Sequence, residues 1–460
     1  MYHIDFQKPI HVHFIGIGGI SMSGFAELLH TMGFKITGSD RGESKITKHL
    51  ESLGISVIYE QVANNITNDI DLIVYTAAIH PDNEEFVAAK EANIPMLDRA
   101  EMVGQVMKNY TSSIAVSGTH GKTTTTSMVS HIMLEANLDP TISVGGILQA
   151  IGGNIRIGKS GNFITEACEY TNSFLKFYPT TGIILNVEAE HLDFFKDLDD
   201  VRHSFHEFAN LIPETGLLVV NGEIENYKEL LENISCRIIT YSTKDASCDI
   251  FADNIIFDEK GNGTFDLVIK GENKGTIHMN VIGIHNISNA LASIGAVLDY
   301  DVTFEQIAKG LSNFYGTDRR FQYKGEIGGI TIIDDYAHHP TEIEATLQSV
   351  KNIPCHNCWC VFQPHTFTRT KAFLKDFATA LSLADKVVLA DIYAARENDP
   401  GDISSLDLKR ELEVLGKEVY YFPSFDEIVD FLLENCMNGD LLITMGAGNV
   451  VTIGETLLGK

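Results

Sequence analysis

The sequence predicts an α/β chain of three domains. These are an N-terminal Rossmann-like domain (residues 1–107), a central P-loop-type α/β domain with antiparallel hairpins (108–315) and a C-terminal Rossmann-like α/β domain (316–460). Three observations carry this. The chain has 460 residues and 44% hydrophobic content, enough for about three cores of roughly 150 residues each. Apolar runs alternate with glycine turns and helical stretches in three blocks, the pattern of βαβ units. Two polar stretches, "KNYT" from Lys108 and "GTDRRFQ" from Gly316, mark the joins.

In the first block, "HVHFIGIGGISMSGFAELLHTMGFKITGSD" reads as strand, glycine turn, helix and strand. "DLIVYTAAI" is a further strand, and "HPDNEEFVAAKEANIPML" a helix running into a short one. The second block opens on "SSIAV" and continues through the strands "NFITEA" and "TGIILNV" and the helix "VRHSFHEFANLI". From Cys248 to Val281, short alternating runs broken by Gly and Asn predict antiparallel hairpins. Helical "HNISNALASIGAVLDY" closes the block. The third block has strands at "ITIIDDY", "NCWCVFQP", "KVVLADI", "EVYYFP" and "DLLITMGAG". The blocks carry different turn motifs, so this is not a repeat array.

The formal net charge is −28. That argues against a nucleic-acid partner, which needs basic stripes, and against an anionic membrane surface. A phosphorylated ligand must then be held by local cations, metal ions or backbone amides. Seven thinly spread cysteines fit reduced thiols in a cytoplasmic protein. "CHNCWC" holds a C-x-x-C without a second pair at zinc-ribbon spacing, so Cys358 and Cys360 are expected on a buried strand. The first residues lack an apolar signal-peptide core, and no apolar run approaches a membrane span.

The stretch "AVSGTHGKTTTTSM" departs from the P-loop pattern, since Val116 stands where its first glycine belongs. The strand–loop–helix context is nevertheless met. Gly118 and Gly121 would let backbone N–H groups approach phosphates. Lys122 would reach the β- and γ-phosphates, and Thr123 would hold a divalent cation through its hydroxyl. A Thr-rich helix cap explains the threonines but not the adjacent Gly-Lys. The earlier turn "GIGGIS" (Gly16, Gly18, Gly19, Ser21) lacks the last glycine of a dinucleotide fingerprint. It suits a diphosphate at a helix N-terminus, with Asp40 at the end of the second strand; NAD is the weaker alternative.

"TEACEY" places Glu166 and Glu169, and "NVEAEHLDFF" places Glu190, His191 and Asp193, at predicted strand ends. Carboxylates with one imidazole suit Mg²⁺ or Mn²⁺ better than zinc. "DDYAHHPTEI" and "QPHTFTRT" follow strands of the third block. They would bind a polar substrate with a carboxylate and an amine, although a helix cap and ordinary loop polarity explain either one alone. Arg319 and Arg320 would close on phosphates or form surface ion pairs.

Together "HFIGIGGISMSGFAELL", "GTHGKTTT", "EACEY", "NVEAEHLD", "GIHNISNAL", "GTDRRFQ", "DDYAHHPTEI" and "QPHTFTRT" resemble the Mur ligase family, in order and over essentially the whole chain. The family loop is G-T-x-G-K-[ST], which explains the glycine spacing. The resemblance implies an ATP-dependent ligase. It would phosphorylate the lactyl carboxylate of UDP-N-acetylmuramate and pass the acyl group to L-alanine, giving ADP and phosphate, in peptidoglycan precursor synthesis. A ligase adding a preformed peptide to the same sugar nucleotide is the near alternative. An oxidoreductase using the first turn and a nucleotide-sensing binding protein are the other classes.

By the same resemblance, Gly118, Thr119, Gly121, Lys122, Thr123 and Thr124 would bind the ATP phosphates. Thr123, Glu166 and His191 would hold Mg²⁺ (or Mn²⁺). His285, Asn286 and Asn289 would lie by the adenine. Arg320, with Arg319 near, would reach the transferring phosphate, and Asp335 the ribose or the reacting end. His338, His365 and Arg369 would line the amino-acid pocket, with His338 and His365 candidate bases. Gly16, Gly18, Gly19, Ser21 and Asp40 would hold the sugar nucleotide. The third domain would close over the reaction. A monomer or homodimer is expected.

Two residues depart from the family pattern: Cys168 replaces an aspartate, and Thr366 stands where an arginine often follows "QPH". His206, with no lysine, occupies the region where some relatives carry a carbamylated lysine, so no carbamate is expected.

Overall fold

The computed structural model describes residues 2–460 apart from Ala77, Asn352 and Arg396. The chain divides into two compact units. One comprises Met1–Asp249 with Ala292–Gly310, the other Ile250–Leu291 with Leu311–Lys460.

The first unit holds an N-terminal parallel sheet of β1 (His11–Ile15), β2 (Lys35–Ser39), β3 (Ser56–Ile58), β4 (Leu72–Tyr75) and β5 (Met96–Asp98), in the order β3-β2-β1-β4-β5. It also holds β6 (Ser112–Ser117), β7 (Thr141–Leu148), β8 (Gly153–Arg156), β9 (Asn162–Glu166), β10 (Thr181–Ile184), β11 (Leu217–Asn221) and β12 (Arg237–Ser242). Their order is β12-β11-β10-β6-β9-β7-β8, parallel except for the β7–β8 hairpin.

In the second unit, β13 (Ile250–Phe257), β14 (Asn262–Ile269) and β15 (Glu272–Ile282) form the expected antiparallel meander. β16 (Gln322–Ile327), β17 (Ile330–Asp335), β18 (Cys358–Phe362), β19 (Lys386–Leu389), β20 (Glu418–Tyr421) and β21 (Leu441–Met445) follow in the order β16-β17-β21-β18-β19-β20. Only β16 of these is antiparallel to its neighbour. Among the described residues no helix is long and apolar enough to cross a membrane.

Strands β1, β10, β18 and β21 are buried along their whole length. Burial of every residue fits parallel strands covered on both faces, even where β1 carries His11 and His13 and β21 carries Thr444. Cys358 and Cys360 lie in β18 as expected, and burial pushes the Cys358 thiol up to about 12. In the first unit Phe174 stacks on Phe208 with centroids 4.9 Å apart. In the second, buried Trp359 donates Nε1–H to Asp440 at 2.9 Å. Strands β3, β7, β8, β12 and β16, absent from the sequence reading, are short, edge-lying or half-exposed. β11, also absent from the sequence reading, is a mostly buried apolar run.

Gly104 lies inside the helix Arg99–Met107. A Cβ there would stand 2.0 Å from the Lys176 carbonyl oxygen, so the helix is pressed against that segment. Gly→Ala inside a helix ordinarily stabilises by about 1 kcal/mol. Here Gly104→Ala should destabilise by roughly 1–3 kcal/mol, read as a lower urea midpoint at unchanged m-value.

Candidate active site

Register decides what meets at the strand ends. Ile15 pairs with Ser39 and with Tyr75, and Tyr75 with Asp98, so Gly16, Asp40 and Arg99 leave the first sheet side by side. In the next sheet Ser117 pairs with Ile184, and Val116 with Glu166. The glycine loop, the "EACEY" segment and the "NVEAEH" segment therefore start together. In the second unit Met445 pairs with both Asp335 and Phe362. Tyr336, Gln363 and Gly446 emerge as neighbours. These are carboxyl-end crevices, where α/β sheets take their ligands.

At the first turn, the N–H groups of Gly16 and Ile17 both donate to Ser39 O at 2.9 Å. Asp40 accepts the Gly18 N–H at 2.7 Å. Gly19 precedes the helix Ile20–Thr31 without a side-chain cap. Ser21 accepts from Arg99 Nη1 at 3.2 Å, which sets a cation beside that helix start. Arg99 was not among the sequence candidates.

At the second loop, Gly121 adopts φ +82° and opens the helix Lys122–Glu135, again without a side-chain cap. No side chain caps the first N–H groups of this helix, the arrangement that suits an anion at a helix N-terminus. Asn186 braces the loop: its Oδ1 accepts the His120 N–H at 2.7 Å, and its Nδ2 donates to His120 O at 3.1 Å. The Thr119 hydroxyl accepts the Glu188 N–H at 3.0 Å. Thr123 is half-buried and Thr124 buried.

The Lys122 ammonium donates to the carbonyls of Gly118 and Thr119 and to Glu169, 2.9 Å from Oε2. Burial disfavours its charge, but Glu169 foremost, then Cys168 and Glu166, outweigh this and raise its pKa. Cys168 is itself raised by burial and by Glu169, so its thiol stays protonated.

Glu169 lies 3.9 Å from His191 Nε2. Glu166 instead accepts the Gly145 N–H at 2.5 Å. The Tyr170 ring packs on His191 at 4.4 Å, and its hydroxyl donates to Asp193 at 2.8 Å. Thr171, Asn172 and His191 all adopt left-handed φ, a cost borne where geometry is imposed. Glu169 and His191 offer a hard oxygen and an imidazole, donor chemistry that suits Mg²⁺ or Mn²⁺, while Glu166, turned to Gly145, is not gathered with them into one ligand cluster among the described residues. His206 bonds through Nδ1 to Leu230 O at 3.1 Å on the helix Leu198–Asn210.

In the second unit, His285 is half-buried, and its enclosed Nδ1 has no hydrogen-bond partner among the described residues. Burial, then Arg320, pull its pKa down to about 4. Asn286 donates to Ile282 O, and Asn289 to Asn286 Oδ1 at 3.2 Å. Asp335 accepts the N–H groups of Ala337 and Phe321 and the Thr346 hydroxyl. Burial nonetheless lifts it to about 6, against Arg320. Arg319 bonds Asp334 at 3.1 Å and Gly446 O at 2.7 Å.

Arg320 pairs with Glu342 at 3.5 Å, and Glu342 also meets His338. The His338 and His365 rings are 5.8 Å apart. Arg369 Nη1 lies 3.0 Å from His365 Nδ1. Thr366 caps the helix Phe367–Ala372 at φ +67°, ψ 144°. The structure thus joins Arg320, His338, His365 and Arg369 into one row. Sequence spacing named Glu169 without a role and missed Asn186, Tyr170 and Glu342.

Two glycine turns at helix starts, a buried lysine and an acid–imidazole set describe an enzyme that moves phosphoryl groups. Three family models match in order: "Mur ligase family, catalytic domain" over residues 11–111, "Mur ligase middle domain" over 116–297 and "Mur ligase, glutamate ligase domain" over 319–448. The chain belongs to the Mur ligase family. It is 60% identical to a UDP-N-acetylmuramate–L-alanine ligase of Lachnoclostridium phytofermentans, with 100% of both covered. It is 59% identical, again over 100% of both, to one of Agathobacter rectalis. The crystal structure of UDP-N-acetylmuramate-alanine ligase from Thermotoga maritima matches at TM-score 0.80 and 28% identity over 98% of each chain. A murein peptide ligase of Psychrobacter arcticus shares the fold at TM-score 0.70 and 24% identity, over 98% of each chain.

Asp335 and His285 pull stability in opposite directions. Asp335 holds its proton up to about 6 against an ordinary 3.8, so ionising it costs stability as pH rises through that window. His285 resists protonation down to about 4 against an ordinary 6.5, so stability is lost as pH falls through that window. Each contribution, summed over its window, is on the order of 3 kcal/mol, and in the wild type they largely cancel. Asp335→Asn should leave stability rising with pH between about 4 and 6, and His285→Gln should leave it falling. Denaturant unfolding across that range checks both.

Proposed function

We propose that this chain is an ATP-dependent ligase joining the lactyl carboxylate of UDP-N-acetylmuramate to the amine of L-alanine, with release of ADP and phosphate, in the cytoplasm. The observation that carries the reading is end-to-end identity of 60% with a UDP-N-acetylmuramate–L-alanine ligase.

The chemistry explains the residues. A carboxylate does not react with an amine in neutral water, because its oxygen is a poor leaving group. Transfer of the γ-phosphoryl gives an acyl phosphate, whose leaving group is good. Catalysis of that transfer is mainly positioning and charge. Lys122 and Arg320 are the cations assigned to the moving phosphoryl. Thr123, Glu166 and His191 would hold Mg²⁺ or Mn²⁺, which supplies charge neutralisation at the phosphates; Glu169 stands beside them. The turn at Gly16, Gly18, Gly19 and Ser21 receives the diphosphate of the sugar nucleotide, with Asp40 fixing its shape.

The amine of free alanine has a pKa of about 7.7–8.0, so much of it is protonated at neutral pH. His338 is the candidate base. Arg369, held against His365, is the clamp for the amino-acid carboxylate.

ADP release should require ATP, Mg²⁺, UDP-N-acetylmuramate and L-alanine together. Release that ignores the sugar nucleotide would sink the reading. Competition by a preformed tripeptide that displaces alanine would favour the recycling ligase instead. Glycine and L-serine beside L-alanine measure the selectivity of the Thr366 corner. Lys122→Ala should lower kcat by roughly 10²–10³; an unchanged rate would overturn its assignment.

A further inference from the structure

Glu342 has no role in the assignments above, yet it touches two of the residues in them. It lies in the first turn of the helix Pro340–Val350, where the helix dipole favours a carboxylate. Its side chain is 10% exposed. One oxygen, Oε1, faces Arg320 Nη1 at 3.5 Å. The other, Oε2, accepts the His338 backbone N–H at 3.1 Å and lies 3.2 Å from His338 Nδ1. One negative charge, poorly screened by water, therefore serves two positively inclined groups.

The surroundings fix the histidine. His338 Nδ1 faces two acceptors, Glu342 Oε2 and Tyr336 O at 3.1 Å. In the neutral ring Nδ1 therefore carries the proton and Nε2 the lone pair. Among the described residues, other charged or titratable groups here include Asp335 and His285, which lie within the fields of both Arg320 and Glu342, His339 at the start of the same helix, Arg319 over the Tyr336 ring, and His365 with Arg369. Arg369 Nη1 donates toward His365 Nδ1. The Tyr336 ring lies 5.2 Å from the Arg320 guanidinium and steers it without neutralising it.

We propose that Glu342 is a shared counter-ion that couples Arg320 to His338: when a phosphoryl group takes Arg320, more of the charge of Glu342 falls to His338 and strengthens it as the base for the incoming amine. The inference rests on the ligase reading for the identity of that amine. The ammonium gives one proton to His338 Nε2. The freed lone pair attacks the carbonyl carbon of the acyl phosphate. Phosphate departs with the C–O bonding pair and carries off the second proton of the amine. Glu342 touches no reacting atom and is a positioning residue. Because Arg320 shares its charge, the support it gives His338 stays partial until nucleotide is engaged.

The test is an NMR titration of the full chain with ¹⁵N-labelled histidine, with and without Mg²⁺ and the β,γ-imido analogue of ATP. His338→Gln assigns the signal. The neutral ring should show the Nδ1–H tautomer. The His338 midpoint should rise by about one pH unit with the analogue, a roughly tenfold gain in proton affinity. Glu342→Gln keeps an acceptor oxygen without the charge and should abolish the rise. An equal rise in this variant, or none in the wild type at saturating analogue, overturns the proposal. Should Glu342→Gln not fold, Arg320→Gln gives the complementary result. With no cation to leave, His338 starts at its raised midpoint and the analogue adds nothing; a persisting rise overturns the coupling. Alanine-dependent ADP release in the same preparation separates the two readings. Activity without the shift sinks the coupling alone, and the shift without activity sinks the ligase reading alone.

Discussion

The buried pair of Lys122 and Glu169 organises the nucleotide loop. An ammonium out of water is expensive unless paired and hydrogen-bonded, and here Glu169 and two loop carbonyls meet it at once. Turning those carbonyls inward fixes the loop between Gly118 and Gly121, and the loop then directs the start of the helix Lys122–Glu135. Arg320 is held in the same manner by Glu342. In a chain with formal charge −28, both cations assigned to phosphate rest on carboxylates. Under the proposed assignment, a phosphate taking either cation would displace those contacts, and ligand binding would also be a rearrangement of ion pairs.

The second constraint is register. A site built from segments far apart in sequence needs those segments to leave their sheets at one level. The pairings of Ser117 with Ile184, Val116 with Glu166, and Met445 with both Asp335 and Phe362 supply that. Because side chains alternate along a strand, a one-residue slip would turn Glu166 or Asp335 to the opposite face. Continuous burial of the central strands makes such a slip costly, so the apolar cores and the reactive edges are specified together.

Much of this was legible in the sequence. The three α/β blocks, the antiparallel meander, the glycine turns and the residues at strand ends all follow from periodicity and turn chemistry. Edge strands such as β3 and β16 were not, because short, half-exposed segments carry little periodic signal. Contacts made through unusual backbone were also illegible. Glu169 reaches Lys122 at the head of a segment where Thr171 and Asn172 both turn left-handed. Glu342 meets His338 because the chain enters a helix directly after it. Spacing names such residues as acids near a motif and cannot say which cation each will choose.

Thr366 has a further consequence. A β-branched residue at φ +67°, ψ 144° occupies a region almost reserved for glycine, at a cost of order 1–3 kcal/mol. It stays there because its N–H donates to Tyr393 O at 2.9 Å, its carbonyl takes Thr370, and its hydroxyl caps Arg369. Glycine would relieve the backbone and lose the cap, while a larger side chain would keep neither. Few single replacements are therefore open at this corner. Changing the residue here also means changing the backbone that runs beside Tyr393.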